Sequence, residues 1–159
     1  MKVIGIDPGF GRCGVAILEK ERGREHVIYS SCIETSATDL FPKRLAHVAD
    51  GCATLVEKYK PDALAIERLY FNSNQKTAMQ VAEVRGAVIY VAERAGIAVF
   101  EYTPSQVKSA TTGSGKADKG SVATMLRALL HIDKDIRHDD EYDAIAVGLT
   151  HLAHTWRGA

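Results

Sequence analysis

Four acidic residues stand at positions from which their side chains could enter one cleft. Asp7 ends a short apolar run near the start of the chain, and Glu67 ends another in the middle. Asp140 and Asp143 are three positions apart in a late helical pattern, so they share one helical face. Carboxylates that are brought together repel one another unless cations neutralise them. All-oxygen ligation favours hard cations, chiefly Mg²⁺ or Mn²⁺.

Two such ions about 4 Å apart can activate a water molecule and stabilise the leaving oxygen of a phosphodiester. The four acids together therefore predict a nuclease site with two Mg²⁺ ions, for which Mn²⁺ can substitute. Taken singly, each acid has a plainer explanation, because Asp-Pro-Gly is a common turn and aspartates in the first turn of a helix are ordinary dipole partners. The prediction depends on the joint pattern.

Three lysines are candidates for phosphate contacts. Lys108 follows a predicted strand, and Lys119 lies just past a loop rich in glycine and serine. An ammonium group at either position could stabilise the charge that develops on a phosphate in the transition state. Lys116 lies in the same loop and has less motif support. The alternative for all three is a solvated surface lysine.

Two arginines and two aromatic residues extend this candidate surface. Arg12 and Arg85 could contact backbone phosphates, which position a nucleic acid without reading its sequence. Tyr70 and Phe71 follow Glu67 by three and four residues. An exposed aromatic ring there could stack on an unpaired base, which is worth about 1–3 kcal/mol. Core packing is the alternative, and it is favoured more for Phe71 than for Tyr70.

The hydrophobic patterns predict the elements that must position these residues. Strands are predicted at Lys2–Asp7, Gly14–Glu19, His26–Glu34, Asp62–Glu67 and Ile97–Tyr102. Helices are predicted at Lys43–Tyr59, Gln75–Ala95, Ser105–Ala110, Asp118–Leu130 and Asp140–Trp156, with a loop at Thr111–Gly115. Strand alternating with helix implies parallel pairing, so we expect an α/β fold with a mixed five-stranded sheet and helices on both faces. The valines of residues 78–95 suit either core packing or a dimer face.

Composition limits the class of protein. With 159 residues and 46% hydrophobic content, the chain suits one compact domain, residues 1–159. Lysine plus arginine equals aspartate plus glutamate at 20 each, which argues against a general polycation, so DNA binding must come from local clusters. Cys13, Cys32 and Cys52 are odd in number and lack C-x-x-C spacing, which predicts neither disulfides nor zinc. Without a signal sequence or membrane span, a cytoplasmic location is expected.

The chain resembles the RuvC family of Holliday-junction resolvases. The motifs that carry the resemblance are IGIDPG, AIERLYF, QVK before a glycine-containing loop, and D-x-x-D-A-x-A in the last helix, in the family's order across essentially the whole chain. The resemblance implies the ribonuclease H fold, a homodimer, paired nicks across a four-way DNA junction and a branch-migration motor as partner. By motif it implies metal ligation by Asp7, Glu67, Asp140 and Asp143 and contacts of Lys108 and Lys119 with the scissile region.

The resemblance also brings two departures. Family members usually carry phenylalanine where Tyr70 stands, so the hydroxyl group is a difference. Some relatives have histidine at the position of Asp140, which makes the nearby His138 a secondary candidate, although it lies two residues early.

Three other functions fit parts of the pattern. A ribonuclease H-fold nuclease that acts on RNA is disfavoured by residues 67–70 and by the lysine pair. A nucleotide-binding switch is suggested because Asp7-Pro8-Gly9 resembles the phosphate turn of actin-like ATPases, but the chain is too short for their two lobes. A junction-binding protein without catalysis would leave the electrostatic cost of four acids unexplained.

Overall fold

The structure is a computed structural model that describes residues 1–69 and 75–155, with only the backbone for residues 75 and 76. Its strands are β1 Lys2–Asp7, β2 Arg12–Glu21, β3 Arg24–Glu34, β4 Ala63–Glu67 and β5 Ala98–Tyr102. Its helices are α1 Phe41–Tyr59, α2 Gln75–Arg94, α3 Pro104–Thr112, α4 Lys119–Leu130 and α5 Asp139–His154. None of the described helices is long and apolar enough to cross a membrane.

The predicted element order is confirmed, and the boundaries differ where local turn chemistry extends an element. The β2–β3 hairpin is longer than predicted because Arg22 and Gly23 both adopt positive φ, which lets pairing continue to the turn. Helix α3 begins one residue earlier because Thr103 and Gln106 form a reciprocal capping box. It continues through Thr112, so the predicted loop starts only at Gly113.

The five strands form one mixed sheet in the order β3-β2-β1-β4-β5. Strands β1, β2 and β3 pair antiparallel, whereas β1, β4 and β5 pair parallel. Ile6 of β1 pairs with Ile66 of β4, so the next residues, Asp7 and Glu67, leave the sheet at the same carboxyl edge. In open sheets with parallel strands this edge is where ligands bind.

Helices cover both faces of the sheet, as predicted. One core contains side chains of α3, α4 and α5, and the other contains side chains of α1 and α2. On α2, the side chains of Val84, Val88 and Ala92 are completely buried in the second core. Met79 and Tyr90 of the same helix are exposed, so α2 has both a core face and an open face.

Candidate active site

Helix α5 lies directly on the first two strands because glycines leave room for its backbone. A side chain at Gly14 would overlap the carbonyl oxygen of Asp140, and one at Gly5 would overlap that of Ala144. Gly14 is also the pairing partner of Asp7 across β1 and β2. The first turns of α5 are therefore held next to Asp7, and it is these two glycines whose role the sequence pattern alone did not reveal.

Three of the four predicted acids and both principal lysines line one cleft of about 260 Å³. Asp7 comes from the end of β1, Glu67 from the end of β4 and Asp143 from α5. Lys108 of α3 and Lys119 of α4 complete the polar lining. Five separate elements thus contribute charged groups to one place.

The carboxylates of the cleft carry negative charge that the lysines do not balance. Burial, followed by repulsion from Asp143, Glu67 and Asp140, raises the pKa of Asp7 to about 7, against a smaller opposing effect of Lys119. Burial and then Asp143 also raise the pKa of Glu67. A site in which carboxylates resist ionisation attracts cations.

Lys119 is the first residue of α4, where the helix dipole opposes a positive charge. The helix is capped instead by Asp118, whose side chain accepts a hydrogen bond of 2.8 Å from the backbone of Ser121. The Lys119 ammonium lies 3.0 Å from Oδ2 of Asp143, and this hydrogen bond raises its pKa. Its position is explained by the cleft and not by helix stability.

The other two lysines differ in position. Val107 is one of the buried residues of α3, and the adjacent Lys108 lines the cleft. Lys116 is exposed in the loop before α4 and does not line the cleft.

Asp140 stands at the rim of the cleft and does not line it. Its Oδ2 accepts a hydrogen bond of 2.9 Å from Nε of Arg12. It is still near enough to contribute to the raised pKa of Asp7. The prediction that all four acids line one cleft is therefore met for three, because Arg12, at the start of β2, holds the fourth. The guanidinium of Arg12, a predicted phosphate contact, thus faces Asp140.

The remaining predicted residues lie elsewhere. Arg85 does not line the cleft and pairs with Glu101 of β5. Nε2 of His138 lies 3.4 Å from Oε1 of Glu34, so this histidine faces β3. Tyr70 and Phe71 lie outside the described residues.

Two sets of interacting polar and charged residues were missed by sequence reasoning. One contains Arg68 and Glu101, and the other contains Ser30, Lys134 and Glu141. Ser30 and Glu141 are 111 positions apart, so no local pattern links them. Arg68 was visible as a charge directly after Glu67, and this was the one available signal.

The chemistry of the cleft fits a hard divalent cation, because the donors are carboxylate oxygens with unbalanced negative charge. In the part of the chain that the structure describes, no three acids, histidines or cysteines already form a closed ion site. Asp143 is bonded to Lys119. Holding an ion would therefore require the carboxylates to converge and this ion pair to loosen.

Comparisons with known proteins identify the family. The family profile described as "Crossover junction endodeoxyribonuclease RuvC" matches residues 3–151. The protein of that name from Petrotoga mobilis is 43% identical over 151 residues, which cover 95% of this chain and 93% of that protein.

Solved structures agree. Thermus thermophilus RuvC in complex with Holliday junction substrate matches with a TM-score of 0.92 at 31% identity, over 99% of this chain and 96% of that chain. The yeast mitochondrial Holliday junction resolvase Ydc2 shares the fold at 16% identity, with a TM-score of 0.72 over 95% of this chain and 77% of that chain. As its motifs predicted, the chain belongs to the RuvC family of crossover junction endodeoxyribonucleases and has the ribonuclease H-like fold.

Proposed function

We propose that this DNA endonuclease resolves four-way junctions by hydrolysing one phosphodiester bond in each of two opposed strands. The observation that carries the proposal is the cleft, where three acids and two lysines meet at the carboxyl edge of the sheet. Binding of four-way junction DNA follows from the family, one member of which has been solved with that substrate.

The family consists of metal-dependent nucleases, and the identity and number of the ions are part of our proposal. Two Mg²⁺ ions, replaceable by Mn²⁺, would be held by Asp7, Glu67 and Asp143, with Asp140 joining from the rim. When bound, these ions supply activation of the attacking water and stabilisation of the leaving oxygen. The raised pKa values of Asp7 and Glu67 support this proposal, because burial and then repulsion among the acids make their ionised forms costly unless a cation neutralises them.

The basic residues act on the DNA. Lys119 and Lys108 bind the scissile phosphate and stabilise its charge in the transition state. With Asp140 helping to hold an ion, Arg12 would be free to bind a backbone phosphate of the DNA. Lys116, exposed in the loop next to Lys119, contacts a phosphate further along the DNA strand.

The same proposal covers the assembly. Two cuts in opposed strands need two clefts, so the active form is a twofold homodimer. A branch-migration motor would deliver the junction, and the enzyme would act in the cytoplasm, where Cys13, Cys32 and Cys52 remain free thiols. One domain spanning residues 1–159 would carry the whole activity. The RNA-cleaving and nucleotide-switch alternatives have no comparable support from the relatives.

The metal prediction is tested with a labelled four-way junction. Mg²⁺ or Mn²⁺ should support nicking, whereas the larger Ca²⁺ should support binding with little cleavage because its looser coordination positions the reactants poorly. EDTA should abolish cleavage. Cleavage in Ca²⁺ or in EDTA at the rate seen with Mg²⁺ would contradict the two-ion mechanism.

The role proposed for Tyr70 is stacking on an unpaired base at the crossover. Tyr70→Ala should slow cleavage of a fully paired junction, whereas Tyr70→Phe, which keeps the aromatic face, should be nearly normal. A junction whose crossover bases are already unpaired should restore much of the rate of Tyr70→Ala. A core role would instead lower the melting temperature, since removing a buried aromatic side chain costs about 3–5 kcal/mol.

A further inference from the structure

Two arginines converge on one carboxylate beside the active site. Glu101 of β5 accepts a hydrogen bond from Nη2 of Arg85 through one oxygen and lies 3.3 Å from Nε of Arg68 through the other. Arg68 directly follows Glu67, and its backbone N–H donates a hydrogen bond of 2.8 Å to the carbonyl of Tyr102. The backbone of Arg68 is thereby fixed at the sheet edge that carries the catalytic cleft.

Stability does not explain this arrangement. The side chains of Arg68 and Glu101 are 55% and 36% exposed, and ion pairs this exposed contribute little to folding. Two guanidinium groups on one carboxylate leave a positive charge unbalanced. Arg85 is only 20% exposed, yet its buried Nε has no hydrogen-bond partner among the described residues. The cluster therefore retains the capacity to bind a second anion.

A DNA phosphate matches that capacity. One guanidinium group can donate two hydrogen bonds to a phosphate at once. These bonds are charge-assisted and therefore stronger than bonds between neutral groups. Arg68 directly follows Glu67 at the carboxyl edge of the sheet, whereas Arg85 and Glu101 lie on the face that α2 covers. A DNA backbone that leaves the cleft across this edge therefore comes close to both arginines. Glu101 carries the same sign of charge as the phosphate and bonds the same donors, so the two anions compete.

We propose that Arg68 and Arg85 form a binding site for a DNA backbone phosphate beside the catalytic cleft, and that Glu101 occupies this site in the DNA-free enzyme. The proposal rests on the proposed function for the identity of the anion. It adds Arg68 and Glu101 to the DNA-binding surface and gives Glu101 a restraining role. Because a phosphate must displace the carboxylate, Glu101 lowers the affinity for every DNA backbone that reaches the cleft.

The test uses Glu101→Gln, which removes the charge and keeps the size of the side chain. Binding of a fluorescent four-way junction and of a linear duplex is measured in EDTA across a range of salt concentrations. Glu101→Gln should bind both DNAs about 3- to 10-fold more tightly, because one repulsive charge is lost and two arginines are freed. Arg68→Gln should weaken binding and reduce the salt dependence by about one phosphate contact.

Glu25→Gln is the matched control. Glu25 forms a 2.7 Å ion pair with Lys20 near the hairpin end of β2 and β3, at the opposite end of the sheet from Asp7. The Glu25→Gln substitution removes the same charge far from the cleft. It should change the affinity for DNA by less than about twofold, since such distant charges are screened.

The outcomes separate this proposal from the proposed function. A folded Glu101→Gln that binds no more tightly, or a Glu25→Gln that gains equally, overturns the phosphate site. If Glu101→Gln does not fold, Arg68→Gln decides: unchanged affinity and salt dependence overturn the site. A wild-type enzyme without preference for the junction over the duplex would contradict junction resolution, while tightening of Glu101→Gln on both DNAs would still support the phosphate site.

Discussion

Glu141 and Asp143 are two residues apart on α5, yet their carboxylates have opposite surroundings. Glu141 is 7% exposed and accepts a hydrogen bond of 2.7 Å from the hydroxyl of Ser30. It also pairs with Lys134, whose ammonium donates to the backbone carbonyl of Ser30 at 2.6 Å. Asp143 shares its cleft with other carboxylates and has one bonded lysine, Lys119.

The difference shows how one helix can serve both structure and chemistry. Glu141 is a buried acid with matched partners, and it ties the segment before α5 to β3. Asp143 belongs to a group of acids whose repulsion Lys119 and Lys108 relieve only in part, which is a cost that a structural site would avoid. Glu141 holds the helix in place, and the acids of the cleft keep the capacity to bind a cation.

The largest expected effect is on the rate of junction cleavage, which should depend on Asp143 far more than on Glu141. Asp143→Asn should lower the rate of junction nicking by about 10³-fold, equivalent to about 4 kcal/mol, because a ligand charge for the ions is lost. Junction binding should be retained. Rates are measured at saturating enzyme with Mg²⁺, with melting temperature as a check on folding.

Glu141→Gln is the paired control for that experiment, since it makes the same chemical change on the same helix. It keeps an acceptor for Ser30 and should cleave within about tenfold of the wild type when folded. Equal losses in both variants would show that the proposed division of labour on α5 is wrong.

The next effect is on stability. Glu141→Ala leaves the hydroxyl of Ser30 and the ammonium of Lys134 without their partner, so the free energy of unfolding should fall by about 2 kcal/mol. Chemical denaturation measures it. Asp143→Asn should change the same quantity little, because the relief of repulsion among the acids offsets the loss of the largely exposed ion pair with Lys119. A larger loss for Asp143→Asn than for Glu141→Ala would reverse the assignment.

The smallest effect is a pH dependence in metal-free protein. The pKa of Asp7 is raised from its usual 3.8 to about 7 in the folded state. Between these values the folded protein binds more protons than the unfolded chain, so this contribution to stability is present at low pH and is lost as the pH rises towards 7. The raised pKa of Glu67 acts in the same direction.

Melting temperatures in EDTA at about pH 5 and pH 8 check this contribution. The loss between the two should be smaller in Asp7→Asn than in the wild type, because the asparagine does not titrate. Added Mg²⁺ should restore stability at the higher pH by neutralising the acids. Identical pH profiles for wild type and Asp7→Asn would show that the pKa of Asp7 is not raised in the folded protein.

The element order and the family were predictable because they depend on local periodicity and contiguous motifs. A short apolar run predicted β1, and the acids that end β1 and β4 could be placed at one edge because parallel strands end together. The lysines were harder to place, because a loop lysine has the same local pattern whether it is solvated or lines a cleft. The motif resemblance supplied that distinction, and the cleft lined by Lys108 and Lys119 agrees with it.

The sequence by itself determined which acids could be functional, but only the tertiary structure decided which partner each one has. Asp140 pairs with Arg12 across 128 positions, and Glu141 pairs with Ser30 across 111. Both pairings depend on the close approach of α5 to the sheet, which Gly5 and Gly14 permit. Hydrogen bonds and ion pairs act over a few ångströms, so their partners are set by packing between distant segments and are absent from any local pattern.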